Sequence, residues 1–378
     1  MSTSPPQALA GAPCVVIAGG GTGGHVNPAL AIADAFVAAH PGTKLLFIGT
    51  AKGLEARLVP ARGYRLELVD GSRLVGAGLM GKLRGVVALW RGVLQARRLL
   101  RAEGAQLVIG VGGYASGAAL LAAKTLRVRT AVHESNAVPG MTNKVLGRLV
   151  DRVYLGFEAA SSAFPQRKVR VTGNPVRREI AAVARAANEE APVVRHVLVV
   201  GGSQGALFLN ENVPALLATL APKLLEAGLT LNVRHQVGKL DVAPVQQAYA
   251  DAKIQAEVLS YVDDMAAALA WADFGVTRSG SGTVSELAAA GLPALLVPFP
   301  FAAGDHQAAN AAAFCASNGG FWSRQADWNG EKLAQQIAAV LTDNTALKRA
   351  SEGARKVARP DAAEAVVTDC DALMEGTW

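Results

Sequence analysis

The stretch Val15-Val16-Ile17-Ala18-Gly19-Gly20-Gly21-Thr22-Gly23-Gly24-His25 decides the fold. A short apolar run ends in a glycine turn, and an amphipathic pattern follows from about Pro28 to Ala39. The pattern reads as strand, turn, helix. Glycine lets the backbone approach a ligand closely and take positive φ. A glycine turn that opens a helix aims free N–H groups and the positive dipole end at an anion. The arrangement recurs at Gly110-Val111-Gly112-Gly113-Tyr114, Gly201-Gly202-Ser203-Gln204-Gly205 and Arg278-Ser279-Gly280-Ser281-Gly282-Thr283. Two such turns lie in each half. They predict two nucleotide-fold halves facing a cleft, with a phosphate-bearing ligand between them.

Strand and helix patterns alternate outward from these turns. In the first half, strands are expected at Val15–Ala18, Leu45–Ile48, Arg65–Val69, Leu107–Ile109, Thr130–His133 and Arg152–Leu155. In the second they are expected at Val197–Val200, Leu231–Gln236, Glu257–Leu259, Asp273–Val276 and Ala294–Val297. Helical patterns separate them, and Glu331–Leu341, Ala346–Val357 and Ala362–Met374 read as terminal helices. Short strands with crossover helices give a doubly wound parallel sheet. A linker is expected near Val176–Pro192. The expected domains are 13–175, 192–358, and a terminal helix over 359–378 packing back on the first.

A chain of 378 residues fits two domains, and 51% hydrophobic content can fill two cores. The longest apolar stretch, Leu287 to Ala303, is broken by Gly291, Pro293, Pro298 and Pro300, so it does not read as a membrane span. Met1 to Ala12 has no basic start and reads as a loose arm rather than a secretory signal. Cys14, Cys315 and Cys370 are scattered, without metal-ligand spacing, which favours a reduced cytoplasmic setting. No cofactor and no metal are expected; Asp369-Cys370-Asp371 sits in a helical pattern and reads as a solvated face.

The net charge of +7 points to an anionic partner. It is uneven: no acid lies between Asp70 and Glu103, while Arg73, Lys82, Arg84, Arg91, Arg97, Arg98 and Arg101 fall there. Leu83, Val86, Val87, Trp90 and Leu94 follow helical spacing in the same segment. A basic amphipathic helix with a Trp can lie on an anionic membrane. A core-packing helix with a basic back is the other reading. Nucleic acid is disfavoured, because apolar bulk rather than stacking aromatics is interleaved with the charge.

Gly19-x-Gly21-x-x-Gly24 matches the dinucleotide fingerprint, but the second strand ends Phe47-Ile48-Gly49-Thr50-Ala51 without the acid that holds a ribose. No Lys-Ser or Lys-Thr follows, which excludes a Walker A loop. His25 stands at the helix start instead, where the positive dipole end suits a neutral imidazole able to accept a proton. His25 is the first candidate for a general base, although a capping or packing His also fits. Glu134 and Asn136 end an apolar strand, where ligand crevices lie. Arg278 to Glu286 offers small hydroxyls and glycines at a helix start for phosphate, with Glu286 a turn later for a ribose diol. Helix capping explains the same residue types but not the glycines.

Together these motifs resemble the MurG family of bacterial peptidoglycan glycosyltransferases. The pieces are Gly19 to His25 with Pro28, Gly112-Gly113-Tyr114 with Ser116-Gly117, His133-Glu134-x-Asn136, and Thr142-Asn143-Lys144. Gly173-Asn174-Pro175-Val176-Arg177, Gly201 to Ala206, Val262-Asp263-Asp264-Met265, Arg278 to Glu286, Ala289 to Pro293, and Gln307 with Asn310 complete the set. They run in family order from about residue 14 to 315.

The resemblance implies an α/β GT-B fold of two Rossmann-like domains and an inverting transfer of GlcNAc. The donor would be UDP-GlcNAc, and the acceptor the MurNAc 4-hydroxyl of lipid I, giving lipid II. By motif position, Thr22, Gly23 and Gly24 would meet the donor's phosphate side, and Asn136 the GlcNAc. Arg177 and Ser203 would meet the nucleotide, and Val262 the uracil. Ser281, Gly282, Thr283, Val284 and Ser285 would cradle the diphosphate, Glu286 would hold the ribose, and Gln307 would reach the sugar. His25 is the first choice of base and Glu134 the second. The expected location is the cytoplasmic face of the inner membrane, attached peripherally through Arg73–Arg101, with other cell-wall synthesis proteins as candidate partners. A GT-B transferase with another acceptor and a non-catalytic nucleotide-sugar binder remain as alternatives.

Overall fold

A computed structural model describes residues 13–51, 53–70, 79–183, 193–202 and 205–377. The first half supplies β1 (Cys14–Ala18), α1 (Gly23–Ala39), β2 (Lys44–Gly49), α2 (Glu55–Ala61), β3 (Arg65–Leu68) and α3 (Leu79–Glu103). It continues with β4 (Leu107–Gly110), α4 (Tyr114–Leu126), β5 (Arg129–Glu134), α5 (Met141–Leu149), β6 (Arg152–Leu155), β7 (Val169–Val171) and α6 (Arg178–Ala181). The seven strands are parallel, in the order β3-β2-β1-β4-β5-β6-β7.

The second half supplies β8 (Val194–Val200), α7 (Leu207–Glu226), β9 (Thr230–Gln236), α8 (Ala243–Asp251), β10 (Gln255–Leu259), α9 (Met265–Trp271) and β11 (Phe274–Thr277). Then come α10 (Ser281–Ala290), β12 (Ala294–Leu296), α11 (His306–Cys315), β13 (Gly320–Trp322), α12 (Gly330–Leu341), α13 (Asn344–Lys356) and α14 (Ala362–Glu375). Its six strands are parallel, in the order β10-β9-β8-β11-β12-β13. Both sheets follow the doubly wound order, with a switch point where the strand order reverses.

Every residue of β1 is buried, because helices cover both faces. Alternation sends Val15 and Ile17 to the α1 side, where α14 adds Val366, Val367, Cys370 and Leu373. Val16 and Ala18 face the layer of α3, α4 and α5. In the second sheet Val197 and Val199 face α7 and α12, while Leu198 and Val200 face α10 and α11. Burying each such aliphatic side chain contributes about 1.5–3 kcal/mol. A carboxylate ties α14 to the first sheet: Asp369 accepts from Arg152 Nε at 3.0 Å and from the Tyr154 hydroxyl at 2.9 Å.

Three differences from the sequence expectation have local causes. α1 starts at Gly23, not near Pro28, because the glycine turn itself winds into the helix and Pro28 lies inside it rather than at its first position. β7 and β13 span three residues each at sheet edges, too short for a periodic signal. α6 forms within the expected linker.

Candidate active site

The four glycine turns sit at the C-terminal ends of β1, β4, β8 and β11, the central strands on either side of the two switch points. Open α/β sheets bind ligands at that place. The helix starts of α1 and α10 meet across the seam between the sheets: a Cβ built on Gly24 would lie 3.5 Å from Ser281 Oγ. Thr22 is the N-cap of α1 in extended conformation, and Gly23 and Gly24 form its first turn. Gly280 is the N-cap of α10. The first amides of both helices therefore converge on one seam, where a leaving anion gains from both dipoles.

His25 lies in the first turn of α1. Its Nδ1 donates to the Gly20 carbonyl at 3.2 Å. A carbonyl only accepts, so Nδ1 carries a proton, and in the neutral ring the lone pair falls on Nε2. Gly112, at φ +105°, lets the ring come close: a Cβ there would lie 3.0 Å from Nε2.

Glu134 is 1% exposed and spends its oxygens on the chain. Oε1 accepts from the Asn136 backbone at 2.9 Å and side chain at 3.2 Å; Oε2 accepts from Gly140 N–H at 3.0 Å and Asn143 Nδ2 at 2.9 Å. It braces the loop that presents Asn136. Asn136 Oδ1 accepts from Asn310 Nδ2 at 3.2 Å across the seam.

On the α10 side, Ser281 and Val284 are buried, while Gly282, Thr283, Ser285 and Glu286 are partly exposed. Ser285 Oγ donates to the Ser281 carbonyl at 2.9 Å and accepts from Asn174 Nδ2 at 3.1 Å. Arg177 reaches Glu286 at 3.2 Å. Burial pushes the Glu286 carboxyl up, and Arg177 opposes that shift. Gln307 Oε1 accepts from Phe299 N–H at 2.9 Å. Val262 is buried in the second core, in the loop before α9. Ser203 lies outside the described residues. The structure thus gathers Thr22 to His25, Asn136, Ser281 and Gln307's helix α11 around one seam, with Glu286 farther along α10 and Arg177, at the start of α6, against it.

Two residues in the quoted motifs gain roles that the sequence did not suggest. Asn310 is fully buried and ties the domains: it accepts from Ala137 N–H at 2.8 Å and donates to the Ser279 carbonyl at 3.1 Å. The Gln307-x-x-Asn310 spacing, which puts both on one helix face, was the available signal. Arg278 is 8% exposed and donates to the Val297 and Pro298 carbonyls, each at 3.1 Å. Burial lowers it to about 10, and it adds positive charge just before α10. Among the described residues no cluster of three or more His, Cys, Asp or Glu is arranged to hold a metal ion.

Residues 15–155 match the glycosyltransferase family 28 N-terminal domain, and residues 196–366 match the family's C-terminal domain. A Geobacter sp. (strain M21) UDP-N-acetylglucosamine--N-acetylmuramyl-(pentapeptide) pyrophosphoryl-undecaprenol N-acetylglucosamine transferase is 42% identical, covering 93% of this chain and 94% of its own. The Myxococcus xanthus protein of the same name is 40% identical over 96% of this chain and 94% of its own. The crystal structure of Acinetobacter baumannii MurG superposes with a TM-score of 0.77 at 32% identity, covering 94% of this chain and 98% of that one. This chain belongs to the MurG family of glycosyltransferases. Its two Rossmann-like sheets are the two halves of a GT-B fold.

Proposed function

We propose that this chain moves GlcNAc from UDP-GlcNAc to the 4-hydroxyl of MurNAc in lipid I, forming lipid II with inversion at the anomeric carbon. The observation that carries this reading is the meeting of two helix N-termini, α1 and α10, at the switch points of facing sheets. The names of relatives near 40% identity over almost the whole chain support the same donor and acceptor.

The donor diphosphate rests on the Ser281 to Ser285 turn. Glu286 leaves Arg177 to take the ribose diol, and Arg177 and Ser203 meet the nucleotide. The Val262 backbone pairs with uracil. Asn136 and Gln307 hold the GlcNAc, and Thr22, Gly23 and Gly24 close over the phosphate side. The acceptor hydroxyl attacks the anomeric carbon as the bond to the diphosphate oxygen breaks, through an oxocarbenium-like transition state. Helix-start amides, with Arg278 beside them, stabilise the charge gained by UDP. His25 Nε2 takes the hydroxyl proton. Glu134 is the weaker candidate, since four donors already occupy its carboxylate.

Attachment to the inner leaflet is proposed through α3. Val87, Trp90 and Leu94 are 48%, 65% and 42% exposed, and Arg91, Arg98 and Arg101 are exposed beside them. Arg73, at the start of the basic segment, lies outside the described residues. No helix among the described residues is long and apolar enough to cross a membrane.

The test is turnover with labelled UDP-GlcNAc and lipid I. The expected product is the lipid-linked disaccharide, and His25→Ala lowers kcat by about 10²–10⁴-fold. Absence of product with wild-type chain contradicts the reaction. Near-normal kcat in His25→Ala removes the base.

A further inference from the structure

Glu55 opens α2, outside every motif quoted above, yet it is 2% exposed and points beneath the first glycine turn. Its Oε2 accepts from Gly21 N–H at 2.7 Å. Its Oε1 accepts from the Thr50 N–H and hydroxyl, each at 3.0 Å. Glycines make the room: a Cβ on Gly20 or Gly53 would overlap the carboxylate, and one on Gly49 would crowd its Cγ. This packing goes beyond helix capping, because the carboxylate serves two other loops rather than its own helix.

Gly21 N–H and the Gly20 carbonyl belong to one peptide unit. That unit is planar and trans, so the two groups point in opposite directions. Glu55 holds one side and His25 Nδ1–H holds the other. We propose that Glu55 is a positioning residue for the base: its carboxylate fixes the Gly20–Gly21 peptide, and the peptide fixes the His25 tautomer. The carboxylate also polarises the peptide, which strengthens its carbonyl as an acceptor. A Ser-His-Asp triad uses a carboxylate directly on the imidazole for the same purpose; here one peptide unit stands between them. The flanking residues are both glycines, so without the brace the peptide turns over at little steric cost. A turned peptide presents N–H to Nδ1, moves the ring proton to Nε2 and removes the lone pair that accepts the hydroxyl proton.

This inference rests on His25 being the base, but its test does not. Nitrogen shifts of the His25 ring, read without substrate in selectively labelled protein, report which nitrogen carries the proton. Wild type is expected to be protonated at Nδ1. Glu55→Gln keeps the size but has one acceptor oxygen, so its NH2 faces an N–H whichever way it turns. It is expected to shift the tautomer toward Nε2–H and to lower kcat roughly 10²-fold, with the UDP-GlcNAc KM within about threefold. Glu55→Asp keeps two acceptor oxygens and is expected to recover part of both. A wild-type ring protonated at Nε2 overturns the proposal even if Glu55→Gln fails to fold. So does a folded Glu55→Gln with the Nδ1–H tautomer and normal kcat, or one whose only change is a raised donor KM. Turnover by His25→Ala, by contrast, contradicts the base and leaves the tautomer result standing.

Discussion

His133 and His235 lie in β5 and β9, one in each sheet, at 0% and 1% exposure. His133 meets the Gly173 carbonyl at 3.4 Å and Ser135 Oγ at 3.3 Å; His235 meets Tyr249 at 2.9 Å and Asn210 at 3.2 Å. Burial holds each of them down to about 4. In the unfolded chain they titrate near 6.5, so below that pH the unfolded state binds protons that the native state refuses. Their stabilisation is complete above 6.5 and is lost as pH falls toward 4. At the low end the loss is on the order of 3 kcal/mol for each histidine. Urea unfolding at about pH 7.5 and about pH 5 checks this: the midpoint is expected to fall, and His235→Gln is expected to flatten the change. The same midpoint at both pH values contradicts the burial argument.

At the scale of elements, the β4–α4 turn sets the position of α1's imidazole. Gly112→Ala combines a φ of +105° with a Cβ 3.0 Å from His25 Nε2. Strain at such a position costs about 1–3 kcal/mol. A ring displaced by about 1 Å lowers kcat by roughly 10²-fold. Donor affinity, held mainly by α10, is expected to stay within about threefold, so kcat and KM separate the two effects. Unchanged kcat in a folded Gly112→Ala protein contradicts this account of the close approach. This level of organisation is legible in the sequence, because an apolar run, a glycine turn and a helical period are local patterns. What could not be read joins distant residues. Asn310 meets Asn136 across 174 positions, and Glu55 reaches a turn 34 positions away. Glu55 carries no local signature, the Gln307-x-x-Asn310 spacing does not name the partner across the seam, and β7 and β13 are too short to show a period. Glu134 shows the reverse: its place at a strand end suggested chemistry, but its four donors reveal a brace.

The whole molecule is two doubly wound sheets joined at a polar seam and clasped by α14, which returns to the first sheet. Hydrogen bonds cross the seam from Asn310 to Ala137 and Asn136, and from Asn174 to Ser285. Such a seam can open for substrates at lower cost than an apolar interface. On the outward side of α3, Trp90 and its neighbours form an apolar strip edged by arginines. Trp90→Glu is expected to reduce flotation with anionic vesicles by more than tenfold while leaving melting unchanged; flotation equal to wild type contradicts docking through α3. The central claim is that the diphosphate occupies the seam between α1 and α10. A crystal structure with UDP-GlcNAc bound tests it most directly. The diphosphate is expected on the α10 N-terminus near Ser281 and Gly24, with the anomeric carbon on the His25 Nε2 side. Donor density elsewhere, or a diphosphate turned away from both helix starts, would contradict it.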